Sequence, residues 1–267
     1  MRNEAHREHL PGDQRRVAPP ERQGWRKLLG RMLDWVYTPQ CALCGVVLHD
    51  GRSLCETCNR ELPRLTPPFC GKCGEPFQGV IQDGFQCPNC SELAFSFEFA
   101  RPAMVRDERT RDLVHQLKYG RAIHLAEELG RLAVESLADE RFRPALLAKW
   151  PLVPVPLHRA RFQYRNFNQA AEIARVVANH SGLPVLAALK RIRATNTQAL
   201  LGRKQRLNNL RGAFAITRAG RRHLAKSTRG VILIDDVLTT GSTVEACAAT
   251  LRRAGFKTVL VVTVMRG

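Results

Sequence analysis

The sequence predicts an α/β protein in which a Rossmann-type parallel sheet follows a cysteine-rich, zinc-binding module. Three stretches carry that expectation. Val231-Ile232-Leu233-Ile234 is an unbroken apolar run, the mark of a strand buried on both faces of a parallel sheet. It leads through Asp235-Asp236-Val237-Leu238 into a turn of small residues and a helical pattern from Val244 to Ala254. Leu152-Val153-Pro154-Val155-Pro156 repeats the order of short strand, polar loop and helix, its prolines suiting an edge or a strand end. Ahead of both, eight of the nine cysteines fall in four Cys-x-x-Cys pairs.

Length and charge set the bounds. The 267 residues allow one large or two smaller domains with a sizeable core. No run of eighteen apolar residues offers a membrane span, and the polar first two dozen residues lack a signal-peptide core. The expected compartment is therefore the cytoplasm, where paired cysteines point to metal rather than disulfides. The formal net charge of +18 is concentrated: from Phe142 to Gly230 the only acidic residue is Glu172, against eighteen Lys and Arg. Surfaces normally mix both signs, so this block implies a polyanionic partner, either nucleic acid, pyrophosphate or both.

Residues 1–24 hold Pro11, Gly12, Pro19 and Pro20 among charges and read as a disordered tail. Residues 25–92 are expected to hold an amphipathic helix and the metal module. Trp25, Leu28, Leu29, Met32, Leu33, Val36 and Tyr37 share one helical face, which suits docking on its own domain or peripheral attachment at the inner membrane. Each Cys-x-x-Cys pair then aims two thiolates at one ion. Cys41, Cys44, Cys55 and Cys58 complete one tetrahedral Zn2+ site, and Cys70, Cys73, Cys87 and Cys90 a second. The two units share one plan, a double zinc ribbon, with Gly45 and Gly74 placed where positive φ is useful. Four cysteine ligands leave no open position, so both sites are expected to be structural. Cys247 falls in a helix and is expected to pack there.

Residues 93–267 form the expected second domain. Leu93, Phe95, Phe97 and Phe99 alternate as in a half-buried strand, and helices follow around Arg109–Tyr119 and His124–Leu137. Lys118 suits either a phosphate contact or a helix cap. After the strand at 152–156 comes an arginine-rich loop with Arg159, Arg161 and Arg165, then a helix from about Phe167 to His180. Guanidinium groups bind phosphate oxygens bidentately, and ligands of open parallel sheets sit outside the strand carboxyl ends. Lys190–Arg229 contains twelve Lys or Arg and no acid. Within it, Arg193–Arg211 fits a mobile flap over a charged ligand and fits equally a helix on a nucleic-acid backbone.

Thr239-Thr240-Gly241-Ser242-Thr243 sets N–H and hydroxyl donors before a helix N-terminus, an anion site. It is neither a Walker A loop nor Gly-x-Gly-x-x-Gly, because Gly241 stands alone. An acidic pair ahead of such donors suits a ribose 5-phosphate, with the phosphate in the loop and two hydroxyls near the carboxylates. The stretch Val231–Thr243 resembles the ligand loop of type I phosphoribosyltransferases, which bind phosphoribosyl pyrophosphate (PRPP). That resemblance implies Asp235 and Asp236 at the ribose hydroxyls. It implies Thr239, Thr240, Gly241, Ser242 and Thr243 at the 5-phosphate, with Val237 and Leu238 leading in. Arg159, Arg161 and Arg165 would face pyrophosphate, with Lys118 in reach. Mg2+ would take its ligands chiefly from PRPP and water. Asp235, Asp236, Arg159 and Arg161 are the residues that catalysis would use. Purine-salvage members carry an acidic residue three positions after the pair; here Thr239, a poor general base, stands there.

With all blocks in view, the chain is similar to the ComF family of competence proteins, which join a double zinc ribbon to a phosphoribosyltransferase-like domain. The resemblance runs from about Leu28 to the C-terminus. It rests on the eight cysteines, Gln116-Leu117-Lys118-Tyr119, Val153-Pro154-Val155-Pro156-Leu157-His158-Arg159, Phe167-Asn168-Gln169-Ala170, the Thr195–Asn208 block and the ligand loop. One departure is Asn166, where the family usually has glycine; Asn best tolerates positive φ among the other residues. The resemblance implies a role in DNA uptake during natural transformation, with single-stranded DNA as a partner and a DNA-uptake helicase or inner-membrane translocase as further partners. Three readings follow from it: a DNA-handling factor with a PRPP-type site, a phosphoribosyltransferase with an unknown acceptor, and a non-catalytic adaptor.

Overall fold

The structure, a computed structural model, describes residues 39–79, 85–91, 94–194, 209–226 and 230–267. The expected N-terminal tail, the Trp25–Tyr37 helix and residues 195–208 of the basic segment lie outside the described residues. In chain order the elements are α1 (Glu56–Arg60), α2 (Pro88–Ser91), β1 (Ala100–Val105), α3 (Glu108–Tyr119), α4 (Leu125–Glu135) and α5 (Arg143–Leu147). Then come β2 (Leu152–Pro154), α6 (Arg159–Arg165), α7 (Gln169–Ser181), β3 (Leu189–Arg191), β4 (Phe214–Ile216), α8 (Arg218–Lys226), β5 (Gly230–Leu238), α9 (Ser242–Ala254) and β6 (Thr258–Arg266).

Four strands pair in parallel in the order β1-β6-β5-β2, while β3 and β4 form a separate antiparallel pair. The apolar run of β5 lies between two partners, and the strand stays in register beyond it: Asp235 pairs with Thr263 and Val237 with Met265. The acidic pair is thereby fixed by the sheet ladder and not by a free loop. Period-two alternation sends Ile232 and Ile234 with Leu260 and Val262 into one core, and Val231 and Leu233 with Val259 and Val261 into the other.

The first core is covered by α3, α4 and α7 through Leu113, Leu117, Leu129, Leu132, Ile173 and Val177. Where α4 meets α7, Gly130 leaves no room for a side chain, since a Cβ there would stand 2.5 Å from that of Val176. The second core is covered by α9, with Val244, Cys247, Ala248 and Leu251, and by Leu189 and Phe214 of the β3–β4 pair. Cys247 packs in that helix as the sequence predicts.

The ribbons brace opposite faces of the sheet. Cys41, Leu48, Leu54 and Leu62 of the first join the first core, and the four cysteines of the second join the other. Each begins with the same turn: Gly45 N–H bonds Cys41 O and Gly74 N–H bonds Cys70 O, both at 2.9 Å, with both glycines at positive φ. Glu128 of α4, fully buried, accepts from Ser53 N–H at 3.3 Å and Arg52 Nε at 3.4 Å, tying the first ribbon to the helical face.

Two local expectations need correction. Phe95, Phe97 and Phe99 do not form a strand; the chain bends there and the first strand starts at Ala100. Phe97 and Phe99 are buried as the alternation requires, but the intervening backbone bonds elsewhere, Ser96 N–H to Glu245 and Glu98 N–H to Val259 O. The arginine-rich segment after β2 is mostly helix, α6, opened by His158 Nδ1 accepting from Ala160 N–H and closed by Asn166 at φ 65°. Asn166 thus takes the left-handed conformation expected of it.

Candidate functional site

Four sulfurs converge at each ribbon. The ligand atoms of Cys41, Cys44, Cys55 and Cys58 all lie within 4.8 Å of one another, as do those of Cys70, Cys73, Cys87 and Cys90. A Zn–S bond of about 2.3 Å places tetrahedral sulfurs about 3.8 Å apart. Cys44 to Cys55 and Cys73 to Cys87 are each 3.7 Å, so both donor sets fit Zn2+. The second set is wholly buried, whereas Cys44 is exposed and Cys55 and Cys58 are half-buried.

At the carboxyl end of the sheet, a cleft of about 240 Å³ opens between β2, α6, β3 and the loop after β5. Asp235 and Asp236 form its acidic floor. Asp236 is buried, and its Oδ2 accepts from Lys118 Nζ at 3.0 Å and from Gln169 Nε2 at 3.1 Å. Lys118 comes from the last turn of α3 and Gln169 opens α7, so three elements meet on one carboxylate. Asp235 Oδ1 accepts the Asp236 N–H at 2.9 Å. Burial, followed by the charge of Asp236, pushes Asp235 up to about 8, with Lys118 partly offsetting both.

The opposite wall is cationic. Arg161 and Arg165 of α6 and Arg191 of β3 line the cleft. Arg165 is buried, its Cζ 5.0 Å over the Tyr119 ring, and Arg191 lies over Phe214 at 5.4 Å. Arg159 stands exposed at the first position of α6, away from the cleft lining. Asn168 fixes the hinge between strand and helix: its Nδ2 donates to Val155 O at 3.0 Å and its Oδ1 accepts from Ala170 N–H at 3.1 Å.

The small-residue loop divides its tasks. Val237, Thr239 and Thr243 line the cleft. Thr240 and Ser242 instead join their hydroxyls at 2.8 Å and stiffen the turn, Leu238 is buried, and Gly241 supplies φ 77° under the Phe95 ring. Behind the loop, Arg266 Nη1 donates to Leu238 O and Thr239 O, each at 2.7 Å, while Nη2 pairs with Glu75 just past Cys73. Ser96 bonds Glu245 through N–H at 2.6 Å and Oγ at 2.7 Å. The second ribbon and the chain leaving it therefore clamp the loop and the first turn of α9.

Arg191, Gln169 and Arg266 have no role in the expectations above. Leu189-Lys190-Arg191-Ile192 shows no period-two alternation, so nothing local marks the strand delivering Arg191; nor does anything local mark Arg266, whose part depends on the partner it meets.

Residues 32–92 match the model of the double zinc ribbon domain. Over 83% of its length the chain is similar to competence protein F of Haemophilus influenzae, at 27% identity and covering 94% of that protein. It is 30% identical to DNA utilization protein YhgH of Escherichia coli O157:H7, again covering 94% of it, and 31% identical to YhgH of Salmonella typhimurium, covering 87%. With the ribbon module and a likeness over 83% of its length in agreement, the chain belongs to the ComF family, which includes competence protein F and YhgH.

Proposed function

We propose that the chain acts in DNA uptake or utilisation, the roles its relatives' names describe, and that its cleft is a PRPP or ribose 5-phosphate site serving that role. The observation that carries the reading is a single cleft with an acidic pair on its floor, donor-bearing Thr239 and Thr243 at one end and Arg161, Arg165 and Arg191 opposite. Vicinal hydroxyls suit the carboxylates, a phosphate suits the loop and helix start, and a pyrophosphate suits the guanidinium wall. Mg2+ arriving with PRPP would offset the pyrophosphate charge, with Asp235 and Asp236 the carboxylates in the cleft that could help hold it.

The acid–base equipment limits the chemistry. Among the described residues, Asp235 and Asp236 are the only carboxylates lining the cleft, and Asp235 titrates high. In a phosphoribosyl transfer here, a proton given up by the acceptor would have to go to this pair, and Asp235, pushed up to about 8, is poised to take it near neutrality.

Single-stranded DNA is the macromolecular partner proposed for the basic half of the chain, handed over by a helicase or translocase of the uptake machinery. Anisotropy of a labelled single strand tests this. Binding should fall steeply between about 50 and 200 mM salt as phosphate contacts release counterions. A flat salt response, or no binding at the lower salt, overturns the DNA assignment.

A further inference from the structure

Beside the cleft lies a second chamber of about 480 Å³, contiguous with it through Tyr119, Arg161, Arg165, Arg191 and Thr243. It adds Tyr164 on α6, and its chemistry differs from that of the inner cleft. Two aromatic rings and three guanidinium groups line it, and no carboxylate does so among the described residues. Tyr164 is 63% exposed and offers a ring face, whereas Tyr119, 51% exposed, already carries Arg165 over its ring. The wall is also preorganised: Arg165 is buried against Tyr119, whose ring packs on His115 at 4.8 Å, and Arg191 is seated over Phe214. Arg165 and Arg191, so held, lose little entropy on binding. Ring faces stack on planar ligands, and guanidinium groups take phosphate oxygens bidentately.

We propose that the outer chamber binds a second ligand, one nucleotide unit, with its base against Tyr164 and its phosphate on Arg161 and Arg165, in the place that the pyrophosphate of PRPP would take. Its place beside a ribose phosphate rests on the proposed reading of the inner cleft; its affinity for a nucleotide does not. A free mononucleotide and the phosphorylated end of a single strand present the same chemistry to this wall.

The test is calorimetric titration of the zinc-loaded full chain with deoxyadenosine monophosphate, deoxyadenosine and inorganic phosphate, and with oligodeoxyadenylate with and without a 5′-phosphate. The monophosphate is expected to bind at least about tenfold more tightly than the nucleoside or phosphate alone. Tyr164→Ser and Arg161→Gln, both at exposed positions that the fold tolerates, are each expected to weaken it about tenfold. Tighter binding of the 5′-phosphorylated oligomer than of the monophosphate supports the chamber with a chain end as source. Equal or weaker binding of that oligomer supports it with a free nucleotide as source. No binding of the monophosphate, phosphate binding as tightly as it does, or an unchanged Tyr164→Ser variant overturns the proposal. PRPP titrated into the same preparation separates the two sites. Binding of PRPP without the nucleotide overturns the outer chamber alone, and binding of the nucleotide without PRPP supports it while removing the inner reading.

Discussion

Lys118 Nζ stands 3.0 Å from Asp236 Oδ2, joining the end of the helix after β1 to the acidic floor on β5. The carboxylate side chain is 6% exposed, so it depends on this cation and on Gln169. Lys118→Met removes the charge but keeps the stem. It should cost about 2 kcal/mol or more, because a buried carboxylate is left half-satisfied. Adding Asp236→Asn should restore much of the loss, and urea denaturation of the four-member cycle measures the coupling. Additive effects would contradict the pairing.

Asp235 gives the fold a pH signature. Its folded pKa, pushed up to about 8, lies above the ordinary value of about 3.9. Between those values the folded chain keeps a proton that the unfolded chain has released, so this group's contribution falls as pH rises from about 4 to about 8. Asp235→Asn lacks that titration. Its stability relative to the parent should therefore grow with pH, read from denaturation midpoints at three pH values across the window; parallel profiles would refute the raised pKa.

Arg266 links metal module and ligand loop. Arg266→Met removes the bonds to Leu238 O and Thr239 O and the pairing with Glu75. A loss of about 1 kcal/mol is expected, since Gly267 N–H still bonds Leu238 O and Thr239 is exposed. The variant should also bind PRPP more weakly, whereas Glu75→Gln, which keeps the Arg266 bonds to the loop, should be milder on both counts. Equal effects of the two changes would contradict a loop-holding role for Arg266.

The two metal centres should release zinc at different rates. Cys44, Cys55 and Cys58 leave the first reachable by a chelator, while all four ligands of the second are buried. A colorimetric chelator should extract zinc in two phases of about equal amplitude. Cys44→Ser should abolish the fast phase, and loss of the slow phase instead would reverse the assignment.

Much of this was legible in the sequence because the decisive signals are local. The Cys-x-x-Cys spacing alone aims paired thiolates, and the apolar run before Asp235 marks a buried parallel strand. At Asn166 only the positive φ is legible, from a residue type that tolerates it; the sequence of the helix that it ends reads as a loop. What stayed hidden depends on tertiary partners. The alternating Phe95, Phe97 and Phe99 carry a strand pattern, yet Glu245 and β6 capture the backbone between them. Lys118 fits a phosphate contact as well as a cap until α3 is seen packed beside Asp236. Arg191 arrives through a three-residue strand whose order of Leu, Lys, Arg carries no alternation, and its partner strand lies more than twenty residues on.

The account turns on what the cleft binds. Calorimetric titration of the zinc-loaded chain with PRPP and Mg2+, repeated on the Asp235→Asn, Asp236→Asn double variant, tests it most directly. A saturable heat in the parent that the folded double variant lacks is the expected result. No binding in the parent, or undiminished binding in the double variant, would contradict the assignment of the acidic pair and its loop as a ribose-phosphate site.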